Sequence, residues 1–472
     1  MMMDLDAGKT QRGSNNTAAT RPNQGSVGVS PRMVAAQIVH EVLEKQRLFD
    51  EVLEGNEEFP RLGVKDRRLA YHLAAGAIKY KRRLDCIARH YLQAKFDHLP
   101  AIIRCVLRVG VFQLSVSERI PTYAAVSETV NAARRLGHQG TASLVNAILR
   151  RFAAAGPADA VPFPSRETEF HQFLAEWHSY PDWLINVFFD LGGKARVEEY
   201  CRWGNREPEF MVRINPLKTD SVGLLHAAER ENVALEPVPG VAGYYRWLGA
   251  NGPSAGSALL RDGLASVQNA AAGLVVQLLD SQPGEMIMDL FAAPGGKSGA
   301  IAEGQSDSGR VLAVDKSARR LAKVIENKDR LGLASILPIS SDILSLPVHP
   351  VDRVLADVPC SALGTLPKNP DARWQKEPAD IERLAEDQSR FLASAARQVR
   401  DGGILVYATC TITRQENQMV VDRFLNTDAR FVLESAAGFV PGEFVDDRDF
   451  LRVLDPESGL DLVFAARLRK AR

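Results

Sequence analysis

The sequence predicts a multidomain chain: an all-α N-terminal domain, a small α+β module and a C-terminal α/β domain of Rossmann-like architecture. Three observations carry the prediction. Apolar residues recur at spacings of three and four from Pro31 to about Ala155. Short apolar runs alternate with amphipathic stretches after about Ser266. Between these regions the segment AAAGPADAVPFPSRE, with its prolines and small residues, reads as a linker. At 472 residues the chain exceeds one ordinary core.

Residues 1–30, rich in Ser, Asn, Thr and Gly, are expected to form a disordered tail. In the first domain, 31–155, Val34, Ile38, Val42 and Leu43 set the helical period. Val106, Val109, Phe112 and Leu114 continue it, then Val126, Val130 and Ala133, then Leu144, Ile148 and Leu149. Gly110, Pro121 and Gly137 punctuate a run of five to seven helices. The module, 165–265, reads as a helical piece around Phe170–Tyr200, a strand Phe210–Ile214, a helix Ser221–Glu231 and a strand Tyr244–Leu248. In the last domain, 266–472, strands are predicted at Met286–Leu290, Val311–Val314, Ile336–Ile339, Arg353–Ala356 and Ile404–Ala408. Helices are predicted around Ser298–Ala302, Ala318–Arg330, Asp380–Val399 and Asn417–Leu425. This alternation predicts a parallel sheet covered on both faces, with ligands at the carboxyl ends of its strands.

The apolar fraction of 45% and charged fraction of 25% are those of a soluble globular protein. No run nears the roughly 18 apolar residues of a membrane span. The first residues carry no secretory pattern, so a cytoplasmic protein with no membrane contact is expected. The five cysteines, Cys86, Cys105, Cys201, Cys360 and Cys410, include no CxxC pair, so no metal site is expected and the thiols read as reduced. Neither a repeat nor a coiled-coil pattern is present, and a monomer without an obligate protein partner is expected. The formal net charge is zero, but its distribution is uneven. Arg61, Lys65, Arg67, Arg68, Lys79, Lys81, Arg82, Arg83, Arg89, Lys95, Arg104 and Arg108 face only Asp66, Asp85 and Asp97 in their stretch. Such a stretch either follows a phosphate backbone or forms solvated helix faces.

Candidate chemistry gathers in the last domain. MDLFAAPGGKS, Met288 to Ser298, follows a predicted strand and opens a helix. Its glycines and alanines let a ligand reach the backbone, and a helix N-terminus offers free N–H groups. The pattern is neither GxGxxG nor a Walker A loop, and many α/β proteins carry such a turn structurally. Asp315 ends the next strand, where a carboxylate accepts the ribose hydroxyls of NAD or of S-adenosylmethionine alike. Asp342 suits either an adenine amino group or the N-cap of a helix before Ile343. Asp357-Val358-Pro359-Cys360-Ser361 ends the fourth strand and Tyr407-Ala408-Thr409-Cys410-Thr411 the fifth. A lone thiol is ordinarily a small buried hydrophobe. Two thiols at strand ends beside the Gly turn point to chemistry.

The runs FAAPGGKS, VLAVD, ADVPCSALGTLPKNPDARW and GGILVYATCTITRQEN, in this order, resemble the Sun-type (Nol/Nop/Sun) RNA cytosine-5 methyltransferases. The resemblance implies S-adenosyl-L-methionine as cofactor. It assigns the cofactor contacts to Phe291, Ala292, Ala293, Pro294, Gly295, Gly296, Lys297, Asp315, Asp342 and Asp357. It implies Cys410 as nucleophile and Cys360 as the group that assists product release. Carbon 5 of cytosine is a poor nucleophile; a thiolate added to carbon 6 creates an enamine that can take the sulfonium methyl. The negative charge this puts on the ring needs an acid or strong hydrogen bond at nitrogen 3, which Asp357 can supply. Residues 104–114, 120–128 and 144–151 are similar to the helical RNA-binding domain of the antitermination factor NusB. That domain joined to a Sun-type domain is the arrangement of bacterial 16S rRNA cytosine-5 methyltransferases. The implied partner is therefore RNA, 16S rRNA first, with tRNA or another RNA as the alternative. A non-catalytic RNA-binding assembly factor and a nicotinamide oxidoreductase are the readings from other classes. Departures from the family pattern are Thr411 for Ser, Asn269 for Asp, and the stretches 362–366 and 459–464; none removes a group the chemistry needs.

Overall fold

The computed structural model describes residues 29–92, 96–117, 120–156, 161–248, 252–254 and 256–472. The expected tail, apart from residues 29 and 30, and residues 157–160 of the expected linker lie outside the described residues.

The N-terminal region is all-α, with seven α-helices among its described residues: α1 (Pro31–Lys45), α2 (Phe49–Gly55), α3 (Val64–Lys79), α4 (Lys81–Tyr91), α5 (Ala101–Ser115), α6 (Thr122–Leu136) and α7 (Gln139–Ala155). Helix α5 is apolar on nearly every side, and a helix of that kind belongs at the centre of a bundle. Ile103, Val106, Leu107, Val109 and Val111 are all buried, with α1, α3, α4, α6 and α7 packed around them. Val34, Ile38 and Val42 of α1 form one buried stripe against it. Gly76 of α3 makes room for the Phe112 ring, which a Cβ would meet at 2.1 Å.

Two further helices, α8 (Phe170–Trp177) and α9 (Asp182–Trp203), precede a four-stranded antiparallel sheet. That sheet is built from β1 (Met211–Ile214), β2 (Ala234–Pro237), β3 (Tyr244–Leu248) and β4 (Ala265–Val267), in the order β2-β3-β1-β4. Helices α10 (Ser221–Arg230) and α11 (Ala258–Arg261) connect its strands. The segment expected as one module divides between two cores. Leu224 and Ala228 of α10 pack on the small sheet, whereas Leu174, Tyr180, Phe188 and Tyr200 pack with Leu363, Leu366 and Ile412 of the last domain.

The last domain runs α12 (Ala270–Leu279), β5 (Met286–Leu290), α13 (Gly296–Gly304), β6 (Arg310–Asp315), α14 (Ala318–Leu331), β7 (Ile336–Ser340), β8 (Val351–Asp357), α15 (Ala372–Gln375), α16 (Pro378–Arg397), β9 (Val399–Thr409), α17 (Gln418–Thr427), β10 (Phe431–Glu434), β11 (Leu451–Val453) and β12 (Val463–Lys470). The sheet order is β10-β12-β9-β8-β5-β6-β7, with β11 paired to β12. The five expected strands are its parallel part, β5 to β9. The sheet as a whole is mixed rather than parallel, because β12 adds to β9 antiparallel and β10 and β11 add to β12. The chain leaves β5 for β6 and β7 on one side and returns to β8 and β9 on the other. The crevice at that reversal is where a doubly wound sheet binds its ligand.

One segment joins the three regions. Gly364 donates its N–H to the Cys410 carbonyl at 2.9 Å and accepts from Leu462 N at 2.9 Å. Farther along, Asp371 accepts from the Phe49 N–H at 3.1 Å and Trp374 Nε1 donates to the Ile78 carbonyl at 2.7 Å. Arg373, fully buried and 4.2 Å above the Tyr180 ring, donates to Gly204 O at 2.7 Å and to Asn205 Oδ1 at 2.8 Å. These acceptors stand at the C-terminal end of α9, where the helix dipole favours a cation. Residues 362–376 thus form a strap from the cysteine loops to the helical domain. A Cβ on Gly364 would lie 1.9 Å from the Leu462 carbonyl oxygen and 2.8 Å from that of Cys410. Gly364→Ala is therefore expected to destabilise the protein by about 1–3 kcal/mol, the usual cost of forced overpacking. Urea unfolding checks this, and an unchanged midpoint would show that the strap moves aside freely.

Candidate active site

The parallel register of β8 on β9 sets Asp357 opposite Ala408. The next residues of each strand form the two cysteine loops, and Cys360 Sγ lies 3.3 Å from Cys410 Sγ. Both thiols are partly exposed, in contrast to the buried Cys105 and Cys201. Past Cys360 the chain turns through Ala362, held in the left-handed region at φ 59°. A residue with a Cβ is strained there by roughly 1–2 kcal/mol. The turn aims the Ala362 N–H at the Cys360 sulfur. Cys360 has its pKa pushed well above the usual thiol range, first by its hydrogen bond with Cys410, then by burial and the nearby charges of Cys410 and Glu416. It stays protonated at neutral pH.

Lys297 Nζ lies 2.6 Å from Asp357 Oδ2. Burial alone would lower the lysine pKa, but the charge and hydrogen bond of Asp357, with Cys410 and Asp289 nearby, outweigh it and raise the pKa. The lysine is a fixed cation that ties the Gly turn after β5 to the end of β8.

The Gly turn itself is over-determined. Phe291 has φ 62° and Gly295 φ 98°. A Cβ on Gly295 would also press on Val324 Cα at 3.2 Å, so this position needs glycine on both counts. The Ala292 N–H pairs with Val314 O at 3.0 Å. From α14, Arg320 Nη2 holds Ala293 O at 2.9 Å and Asn327 Nδ2 holds Pro294 O at 3.0 Å. Helix α13 then begins at Gly296 with its N-terminus toward the crevice.

Asp315 is almost wholly buried at the end of β6. Its Oδ1 accepts from Ser317 N at 2.9 Å. Its Oδ2 has no hydrogen bond and only the Arg320 guanidinium at 3.4 Å. A buried carboxylate oxygen without a donor fits a hydroxyl-bearing ligand such as a ribose. Asp342 is exposed and accepts from Leu344 N at 2.9 Å, capping a short 3-10 turn. It stands beside Asp315 through the Ser341 N–H, which donates to Asp315 O at 3.2 Å.

Three residues to which the sequence assigned no role lie at the site. Asp289, inside β5, is buried and hydrogen-bonded by Ser298 Oγ, and burial raises its pKa to about 7 against the opposing pull of Ser298 and Lys297. The signal was a lone acid in a strand covered on both faces. Glu416 and Asn417 lie buried beneath both cysteine loops, at the end of the run that carries Cys410.

The basic stretch is largely consumed within the fold. Arg104 pairs with Glu44 at 2.6 Å, Arg108 with Asp85 at 2.7 Å, Arg82 with Asp182 at 3.0 Å and Arg89 with Asp97 at 3.1 Å. Lys79 is buried on the Arg206 carbonyl at 2.7 Å and Arg83 stacks 3.8 Å over Trp177. Arg61, Lys65 and Arg68 remain exposed, and Lys95 lies outside the described residues. The acids that neutralise the stretch come partly from outside it, so counting charge along the sequence overstated a phosphate track. Among the described residues no group of acids, histidines and cysteines is arranged to hold a metal, and no helix is long and apolar enough to cross a membrane.

Comparison with known proteins agrees with this geometry. The profile of the 16S rRNA methyltransferase RsmB/F family matches residues 276–469, and that of the NusB family matches residues 29–154. A probable ribosomal RNA small subunit methyltransferase B of Synechocystis sp. is 35% identical over 84% of this chain and 89% of its own length. The Bacillus subtilis protein of the same description is 33% identical over 90% and 94%. The ribosomal RNA small subunit methyltransferase B of Pasteurella multocida is 30% identical over 94% and 97%. Among solved structures, PH0851 aligns over 94% of this chain and 100% of its own, with a TM-score of 0.76 at 24% identity. NSun6 from Pyrococcus horikoshii, solved with SFG, aligns over 62% and 99%, with a TM-score of 0.57 at 21% identity. At these identities the structures speak for the fold, and the sequence relatives speak for the family. This chain belongs to the ribosomal RNA small subunit methyltransferase B family.

Proposed function

We propose that this protein transfers a methyl group from S-adenosylmethionine to carbon 5 of a cytosine in 16S rRNA, with Cys410 as nucleophile, Cys360 as the releasing thiol and Asp357 at the ring. The observation that carries the reading is the pair of thiols 3.3 Å apart at adjoining strand ends, beside a crevice with a buried, unmatched Asp315 oxygen. The family relatives are named for ribosomal RNA, which supports that substrate over tRNA. The reading has the enzyme act as a monomer in the cytoplasm. Residues 31–155 are its RNA-binding domain and 266–472 the methyltransferase domain, with 165–265 connecting them, its helices α8 and α9 packed on the last domain and its sheet on a core of its own.

The cofactor supplies an electrophilic sulfonium methyl when bound. Asp315 suits its ribose hydroxyls, the turn Phe291–Gly296 its methionine end, and Asp342 its adenine edge. At the base, the Cys410 sulfur bonds carbon 6, and negative charge spreads toward ring nitrogen 3. The Lys297–Asp357 pair meets that charge: the fixed ammonium offsets it, and the Asp357 carboxylate orients the nitrogen 3 edge by accepting from the neighbouring exocyclic amino group. Carbon 5 takes the methyl, a base takes the carbon 5 proton, and the electron pair left behind restores the ring as the carbon–sulfur bond breaks and frees Cys410 as a thiolate. Cys360, held protonated within contact of that sulfur, can hand it a hydrogen bond as it leaves.

Cys410→Ser is expected to abolish methyl incorporation from labelled cofactor while calorimetric S-adenosylmethionine affinity stays that of the parent; retained turnover would remove Cys410 from the nucleophile role. Cys360→Ser is expected instead to accumulate a protein–RNA adduct stable on a denaturing gel, and its absence would count against the release role. Asp315→Ala is expected to weaken S-adenosylmethionine binding by about 1.5–3 kcal/mol for each hydrogen bond lost to the charged group. Titration calorimetry reads this directly, and an unchanged affinity would place the ribose elsewhere.

A further inference from the structure

Glu416 and Asn417 stand at the start of α17, 0% and 3% exposed; Asn417 grips the two neighbours of Cys410, and Glu416 grips the neighbours of Cys360 and also reaches Thr413, three residues past Cys410. Glu416 Oε1 accepts the Ser361 backbone N–H at 2.8 Å and Gln388 Nε2 at 3.0 Å. Its Oε2 accepts from Ser361 Oγ at 2.5 Å and Thr413 Oγ1 at 2.7 Å. Gln388 Nε2 also donates to Pro359 O at 3.0 Å. The residues on both sides of Cys360 are therefore tied to this one carboxylate, one directly and one through Gln388. Asn417 does the same for Cys410: it accepts from Thr409 Oγ1 at 2.5 Å and donates from Nδ2 to Thr411 O at 3.0 Å.

The two grips meet at a single hydroxyl. Thr411 Oγ1 lies 2.6 Å from Ser361 Oγ and 3.3 Å from Glu416 Oε2. Each hydroxyl carries one proton, so Ser361 donates to Glu416 and Thr411 donates to Ser361. Every donor to Glu416 is neutral. A buried carboxylate satisfied only by neutral donors is costly in any fold. Here its full acceptor capacity is in use, with two donors at each oxygen, which an amide with one acceptor oxygen cannot match.

We infer that Glu416 is the positioning residue of Cys360 and Asn417 the positioning residue of Cys410, so that the residues flanking each sulfur are held by a different one of two adjacent anchors on one helix start. The inference rests on the roles proposed above for the two cysteines, and it makes neighbouring residues fail at opposite steps. Without its Glu416 anchor, Cys360 drifts while Cys410 still adds to the base. Without its Asn417 anchor, Cys410 itself is misplaced and no carbon–sulfur bond forms.

The test uses the full-length chain with 16S rRNA and S-adenosylmethionine, and scores covalent protein–RNA adduct on denaturing gels beside Cys360→Ser and Cys410→Ala. Glu416→Gln and Glu416→Ala are expected to slow turnover about a hundredfold, the scale of a small misplacement at a reacting centre. They are expected to accumulate adduct as Cys360→Ser does. Asn417→Ala is expected to form none, like Cys410→Ala, and all three are expected to keep the parent's S-adenosylmethionine affinity. Glu416 variants that form no adduct with that affinity intact, or an Asn417→Ala that accumulates adduct, overturn the inference. So does loss of cofactor affinity in the near-isosteric Glu416→Gln, which would assign Glu416 to the fold alone. Failure of Cys360→Ser itself to trap adduct overturns the underlying cysteine roles, and the inference with them.

Discussion

The register of β8 on β9 is the constraint on which the reaction centre depends. The middle of both strands is apolar and buried on both faces, at Val354, Leu355 and Ala356 and at Leu405, Val406 and Tyr407. Such residues tolerate a slip of the pairing, because either face stays apolar. The polar residues at the strand starts do not. Asp352 accepts from Met286 N at 2.8 Å and from Arg400 Nε at 2.6 Å, and Arg353 pairs with Glu285 at 2.6 Å. A slip of one residue would turn these groups to the opposite face. It would also carry Asp357 away from Lys297 and separate the cysteine loops. The placement of the two thiols and of Asp357 is thus fixed from the far end of the strands, by groups remote from the crevice.

From that fixed point the site is assembled by short connections. Lys297 brings the Gly turn to Asp357, and Glu416 with Asn417 brings the two cysteine loops onto one helix. The strap carries the same rigidity outward, from Gly364 against Cys410 to Trp374 and Arg373 in the helical regions. On the other side, Lys323 of α14 pairs with Glu54 of α2 at 2.5 Å. The N-terminal helices are therefore part of the scaffold of the catalytic domain. Any RNA they hold is held in a fixed relation to Cys410.

What the sequence made legible follows from how each element is buried. Strand β5 has the predicted bounds, because a run covered on both faces shows as a short apolar segment, here broken only by Asp289. The same burial hid Asp289, whose position in such a run was itself the clue. Helix α12 is not legible in the sequence because AAAGLVVQLL has no polar face to mark a period, although Asn269 caps it by accepting from Ala271 N. Strand β12 is not legible because six consecutive buried residues, Val463 to Leu468, leave no alternation, and its pairing with β9 spans a long separation in sequence. The partners of the basic stretch were invisible for the same reason: Glu44 and Asp182 meet Arg104 and Arg82 only once the chain has folded.

The most direct test of the central claim is methylation of protein-free 16S rRNA by the purified protein with labelled S-adenosylmethionine, followed by bisulfite mapping. One protected cytosine, absent when Cys410 is replaced by alanine, is the predicted result. Incorporation that maps to another base, or that survives the loss of Cys410, would contradict it.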